Sequence, residues 1–152
     1  MKFTRLISMS LAFVAFLAAC SSSGVDARKV IAAYNEAVIQ AHRTGDISKL
    51  TEVADAREAR AIAVTVDTKR SAGLVLEATL ESLEIEAVKK GSEKDMTVET
   101  KERWRYFDRR LAPGASPGPV ISADMKMRYI CALQDGRWKV AQIETIANNV
   151  KK

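Results

Sequence analysis

The stretch "RYICALQDGRWKVAQIET", Arg128–Thr145, decides the fold. Asp135-Gly136 sits between two runs in which apolar and polar residues alternate. An Asp-Gly pair in that setting is the strongest short-range sign of a β-hairpin, because both turn residues must take positive φ. A two-residue turn pairs Gln134 with Arg137, so Leu133 faces Trp138, Cys131 faces Val140 and Tyr129 faces Gln142. Those pairs share one face with Met125 and Met127, and the other face carries Arg128, Ala132 and Lys139. Turn and alternation give the same register, and a slip of one residue would turn the whole apolar set to solvent.

Working back from the hairpin, Pro113, Pro117 and Pro119 fall within a short span with Gly114 and Gly118. Proline has no N–H to give a ladder, so this is a loop. Before it, Met96, Val98, Thr100, Trp104 and Tyr106 alternate with Glu99, Lys101, Arg103 and Arg105, which predicts a two-faced strand. Lys89–Asp95 is polar and holds Gly91, a second loop. Leu83, Ile85 and Ala87 alternate with Glu84 and Glu86, another strand. From Ala56 to Glu81 the chain is alanine-rich and predicts a helix anchored by Ile62, Val66, Leu76 and Leu80, although Gly73 weakens a helix interior and Ile62, Val64 and Val66 also alternate as in a strand. Ahead of it, Leu50, Val53 and Ala54 mark a short helix begun by Asp46 or Ser48. The first helix runs from an Asp26 cap through the stripe Val30, Ile31, Tyr34, Val38 and Ala41 to Gly45, with His42 and Arg43 in its last turn.

Helices followed by antiparallel strands predict an α+β domain over residues 27–152, in which N-terminal helices pack on a curved antiparallel sheet of about four strands. On "AYNEAVIQAHRTGDISKL", "ERWRY" and "YICALQDGRWKVAQIE", the chain resembles the nuclear-transport-factor-2-like superfamily, the cone-shaped α+β fold shared with SnoaL-like proteins. The resemblance covers residues 27 to 148 and rests on architecture. It implies a cone that encloses a ligand or stands as a scaffold, and in the SnoaL-like enzymes an acid in that cone transfers protons.

The N-terminus carries an address. Lys2 and Arg5 precede an apolar run from Leu6 to Ala19, shorter than the roughly 18–20 residues needed to cross a bilayer. A basic start, a short apolar run and small residues before a cut site make a secretory signal. Leu17-Ala18-Ala19-Cys20 resembles the bacterial lipoprotein box, which implies diacylglyceryl transfer to the Cys20 thiol and cleavage before it. Residues 1–19 are then a signal peptide, and 20–26 a lipidated cysteine and flexible tether through Ser21, Ser22, Ser23 and Gly24. Two or more acyl chains anchor stably. The resemblance also implies the periplasmic side of a bacterial envelope, with Ser21 in place of an inner-membrane aspartate favouring the outer membrane. Cleavage removes two bases and no acid, so a net charge of +5 becomes +3, 22 basic residues against 19 acidic.

Catalytic motifs are sparse. His42 is the single histidine and suits a dipole partner at a helix end. Metal sites need clustered Cys, His or carboxylates, so no metal and no cofactor is expected. With Cys20 lipidated, Cys131 has no disulfide partner and reads as a small core residue. Trp104 and Trp138 fall on inward faces as core anchors. Glu102 shares the inward face of Thr100 and Trp104. It is either paired, turned outward by a bulge, or at the mouth of a pocket with Trp104 and Tyr129, since an unpartnered buried carboxylate is costly. Outward faces carry Lys101, Arg103, Arg105, Lys126, Arg128, Arg137 and Lys139 against Glu84, Glu86, Glu99 and Asp124. That face is a solvated surface of cross-strand ion pairs, or a docking surface for an acidic protein or anionic lipid; nucleic acid is not expected outside the cytoplasm.

The reading is a lipid-anchored envelope protein, with no enzymatic activity, whose domain binds a protein partner or small ligand. The alternative is a SnoaL-like enzyme using a pocket acid such as Glu102. Radiolabelled palmitate should mark the wild-type chain in a bacterial host and leave Cys20→Ser unmarked; equal labelling of the two removes the lipid anchor.

Overall fold

A computed structural model of the chain describes residues 26–151. Residues 1–25, which hold the expected signal peptide, Cys20 and all but the last residue of the expected tether, lie outside the described residues. The order is α1 (Ala27–Thr44), α2 (Leu50–Val53), α3 (Ala56–Ser71), β1 (Leu74–Lys90), β2 (Asp95–Arg110), β3 (Ile121–Gln134) and β4 (Arg137–Lys151). It is an α+β domain, with helices N-terminal to an open four-stranded antiparallel sheet in the order β1-β2-β3-β4. Among the described residues no helix is long and apolar enough to cross a membrane.

Helix α1 starts and stops as its caps require. The Asp26 carboxylate accepts from the Lys29 N–H, satisfying one of the free donors of the first turn. At the other end Gly45 takes φ 83° and donates its N–H to the Ala41 carbonyl at 2.8 Å. Asp55 caps α3 through the Glu58 N–H at 2.8 Å. This helix is shorter than its sequence predicts. It ends at Ser71, Gly73 turns the chain with φ 71°, and Leu76 and Leu80 belong to β1. The competing strand pairing explains the difference: Leu74–Leu80 lies in register with Trp104–Arg110, and the Gly73 carbonyl accepts from Leu111 N at 2.8 Å. Strand β2 accordingly continues past Tyr106 to Arg110.

The β3–β4 turn has Asp135 at φ 51° and Gly136 at φ 75°, as a two-residue hairpin needs. Gln134 pairs with Arg137, Leu133 with Trp138 and Cys131 with Val140. Tyr129 faces Ile143, not Gln142, because Ala141 is an extra residue between the Cys131–Val140 and Ile130–Gln142 pairs.

That bulge is one of several, and all lie in the outer strands. Glu81 and Glu86 are extra residues on β1, and Ala141 and Ile146 on β4, while the central β2–β3 ladder runs unbroken. Bulges bend a strand and raise its twist. Both edges of the sheet therefore come round to α1, which touches β1 and β4. The segment between α2 and α3 adds a bond at the β4 edge, Asp55 N–H to the Val140 carbonyl at 2.9 Å. The core sits inside this wrap: Ile31, Tyr34 and Ala41 of α1, Leu50 of α2, Val66 of α3, and Val98, Tyr129, Cys131 and Val140 of the sheet.

Gly45, which ends α1, lies close against the Arg70 side chain of α3. A Cβ added there would lie 2.8 Å from Arg70 Nε, at a φ that costs an L-residue about 1–2 kcal/mol. Gly45→Ala should destabilise the protein by about that amount or more in urea unfolding; a change under about 0.3 kcal/mol would contradict this geometry.

Candidate functional site

Between α1, α3 and the inner face of the sheet lies a cavity of about 450 Å³. Its walls are mostly apolar, from Val38 and Ile39 on α1, Ile62 on α3, Leu76 and Ala78 on β1, Met125 and Met127 on β3 and Ile143 on β4. Many of these wall residues remain half-buried, so the cavity meets solvent. Polar groups converge in it: Tyr34, Asn35, His42, Glu58, Glu102 and Tyr129.

Glu102 is 3% exposed on the inner face of β2. It accepts from Thr100 Oγ1 at 2.8 Å, Trp104 Nε1 at 2.7 Å and Tyr129 Oη at 2.7 Å. The i±2 spacing of Thr100 and Trp104 puts both donors on its own strand face, and β3 supplies the third across the ladder. The indole N–H can only donate, so Oε2 is an acceptor here. Of the readings open to sequence, pairing and the pocket edge hold together, and no bulge turns Glu102 outward. Its partners are all neutral.

A second carboxylate stands nearby. Tyr34 Oη donates to Glu58 Oε1 at 2.7 Å, and the Tyr34 and Tyr129 rings meet edge to face with centroids 6.1 Å apart. Burial, with the adjoining carboxylates Glu58 and Glu102, pushes both phenols well above the ordinary tyrosine range. Both therefore stay protonated and act as donors. Burial pushes the Cys131 thiol up to about 12, which keeps it an unreactive core group.

Two polar atoms in the wall lack a hydrogen-bond partner among the described residues, Asn35 Nδ2 and His42 Nδ1. Asn35 is 3% and His42 7% exposed. Sequence reading missed Asn35 and Glu58 as site residues and placed His42 as a solvated dipole partner. The signal was there: Asn35 and His42 follow Ile31 by four and eleven residues, on the buried stripe of α1 rather than off it. Trp104 lines the cavity instead of filling the core, and Trp138 packs half-buried against the core.

The outward basic residues are all engaged within the chain. Lys101 and Lys126 share Glu86, Arg103 meets Asp124 at 2.8 Å, Arg105 meets Glu81 at 3.5 Å, and Arg128 bridges Glu99 and Glu144. Arg137 and Lys139 turn to α2, reaching Glu52 and the Thr51 carbonyl. Glu81 and Glu144 thus join the four acids that strand parity places on this face, and the basic excess expected there is largely neutralised. Among the described residues no group of three or more Cys, His, Asp or Glu is placed to hold a metal ion.

No family model matches the chain, and no curated protein matches it. Among solved structures it is similar to the intermembrane-space region of the chloroplast protein ARC6, with a TM-score of 0.71 and 19% identity over 80% of this chain and 94% of that one. Identity that low establishes a shared fold and nothing of function.

Burial, with Lys69 nearby, lowers the pKa of His42. The unfolded chain therefore takes up a proton near pH 6.5 that the folded one resists, so this group's contribution to stability is full above that pH and is lost as pH falls below it. Urea midpoints should drop between pH 7.5 and 5.5, and His42→Gln should flatten that drop; an identical slope in the variant would mean that His42 is not buried neutral.

Proposed function

We propose that this protein is a lipid-anchored bacterial envelope protein whose cone-shaped, nuclear-transport-factor-2-like domain binds a small, largely apolar molecule without transforming it. The observation that carries this reading is the cavity: an apolar chamber about 450 Å³ in volume with a few converging polar groups, two of them holding an unpartnered buried atom. Small-molecule sites have this size and this make-up. Leu17-Ala18-Ala19-Cys20 supports attachment through Cys20, facing the periplasm, and Ser21 supports the outer membrane.

The enzyme reading has one observation in its favour, two tyrosine–carboxylate pairs at one cavity. Glu102 is held by three donors of its own sheet, Oε1 by two hydroxyls and Oε2 by an indole, which supports a positioning role over proton transfer.

Trp104 is a built-in reporter. In the full chain carrying Trp138→Phe it is the only tryptophan. Titration with 4-phenylbutanol should change its emission saturably, and Ala78→Phe, which fills the chamber from β1, should abolish the change. A linear, unsaturable response in both would refute a binding cavity.

A further inference from the structure

The charges around the cavity are one-sided. Glu58 and Glu102 both line it, and no lysine or arginine does among the described residues. The imidazole of His42 is kept neutral by burial and by Lys69. Lys69 is itself held by Asp108, at 2.6 and 2.8 Å to its two oxygens. A buried carboxylate ordinarily has a cation beside it, and Glu102 has three neutral donors instead.

The amide of Asn35 adds to this imbalance. Tyr129 has one hydroxyl proton and two neighbours for it, Glu102 Oε1 at 2.7 Å and Asn35 Oδ1 at 3.3 Å. The shorter, charge-assisted bond takes the proton. Two oxygens would then face each other at Asn35, unless the amide turns over so that Nδ2 donates to the Tyr129 oxygen. Hydrogen-bond consistency is what fixes an amide's orientation. With the amide turned, the buried position without a partner is the carbonyl oxygen, an acceptor. The polar end of the cavity then offers acceptors to a ligand: the Asn35 carbonyl, the unshared oxygen of Glu58 and the remaining lone pair of Glu102 Oε2.

The walls suit the same kind of guest. Tyr34, Trp104, Tyr106 and Tyr129 all line the cavity. Aromatic faces attract cations, most strongly where water is excluded.

We propose that the natural ligand is an amphiphilic organic amine, with an apolar body in the chamber and a protonated nitrogen donating to Glu102, Glu58 and Asn35. This rests on the binding reading above and adds the charge of the guest. Anionic guests such as fatty acids or phosphate esters are disfavoured, since each would place like charge beside two carboxylates.

The test uses matched probes on the full chain with Trp138→Phe: 4-phenylbutylamine, 4-phenylbutanol and 4-phenylbutyrate, read by Trp104 emission at pH 7.5. The amine should bind at least tenfold more tightly than the carboxylate and several-fold more tightly than the alcohol. Glu58→Gln and Glu102→Gln should each cut the amine's affinity by a larger factor than the alcohol's, so that the preference for amine over alcohol falls several-fold. Carboxylate binding as tight as amine binding overturns the cationic ligand and leaves the cavity standing. So does an amine preference unchanged in both variants. Failure of all three probes overturns the cavity reading and this proposal together.

Discussion

The Glu102 carboxylate lies on the inner face of the central ladder, 3% exposed, and four of the elements around the cavity, β2, β3, α1 and α3, are tied to how it is held. Burying a charge costs several kcal/mol after relaxation. Hydrogen bonds to a charged acceptor return about 1.5–3 kcal/mol each, so three of them are enough to keep it inside. They also fix what surrounds it. Thr100 and Trp104 must stay on the inward face of β2, Tyr129 must cross from β3, and the Tyr129 ring then meets Tyr34 of α1. A chain of specified contacts runs from the middle of the sheet into the first helix and on to Glu58 of α3.

The shape of the sheet makes room for that arrangement. The β2–β3 ladder is continuous, and the extra residues Glu81, Glu86, Ala141 and Ile146 all lie on the edge strands. The flanks bend towards the helices while the centre keeps its register. One of these bulges has a direct effect on the site: Ala141 shifts β4 so that Ile143, not Gln142, stands opposite Tyr129. An apolar wall thus replaces a polar one. On the outer face the bulged Glu81 and Glu86 carry carboxylates to Arg105, Lys101 and Lys126, so the same irregularities that curve the sheet neutralise its convex surface.

How much of this was legible in the sequence follows from which signals are local. The hairpin turn, the caps of α1 and the loop of prolines are written in a few adjacent residues, and they stand as read. The α3–β1 boundary is not local. Leu76 and Leu80 fit a helical stripe as well as a strand, and only pairing with Trp104–Arg110 settles the matter. Bulges leave no reliable mark in alternation, so the Tyr129 partner was off by one residue. Parity found Glu102, Trp104 and Tyr129 together, because residues two apart on one strand and opposite on the next must share a face. It could not find Asn35, His42 and Glu58, which arrive on helices whose rotation against the sheet depends on packing. The polar residues on the buried stripe of α1 were the available clue.

The most direct test is a double-mutant cycle between Glu102→Gln and Tyr129→Phe, with stabilities from urea unfolding. If the carboxylate is held inside by the Tyr129 hydroxyl, the two losses should fall short of additive by about 1 kcal/mol or more, as expected for groups in one hydrogen-bond network. Additivity within about 0.3 kcal/mol would mean that the two side chains do not share a proton, and that the cavity is organised by something else.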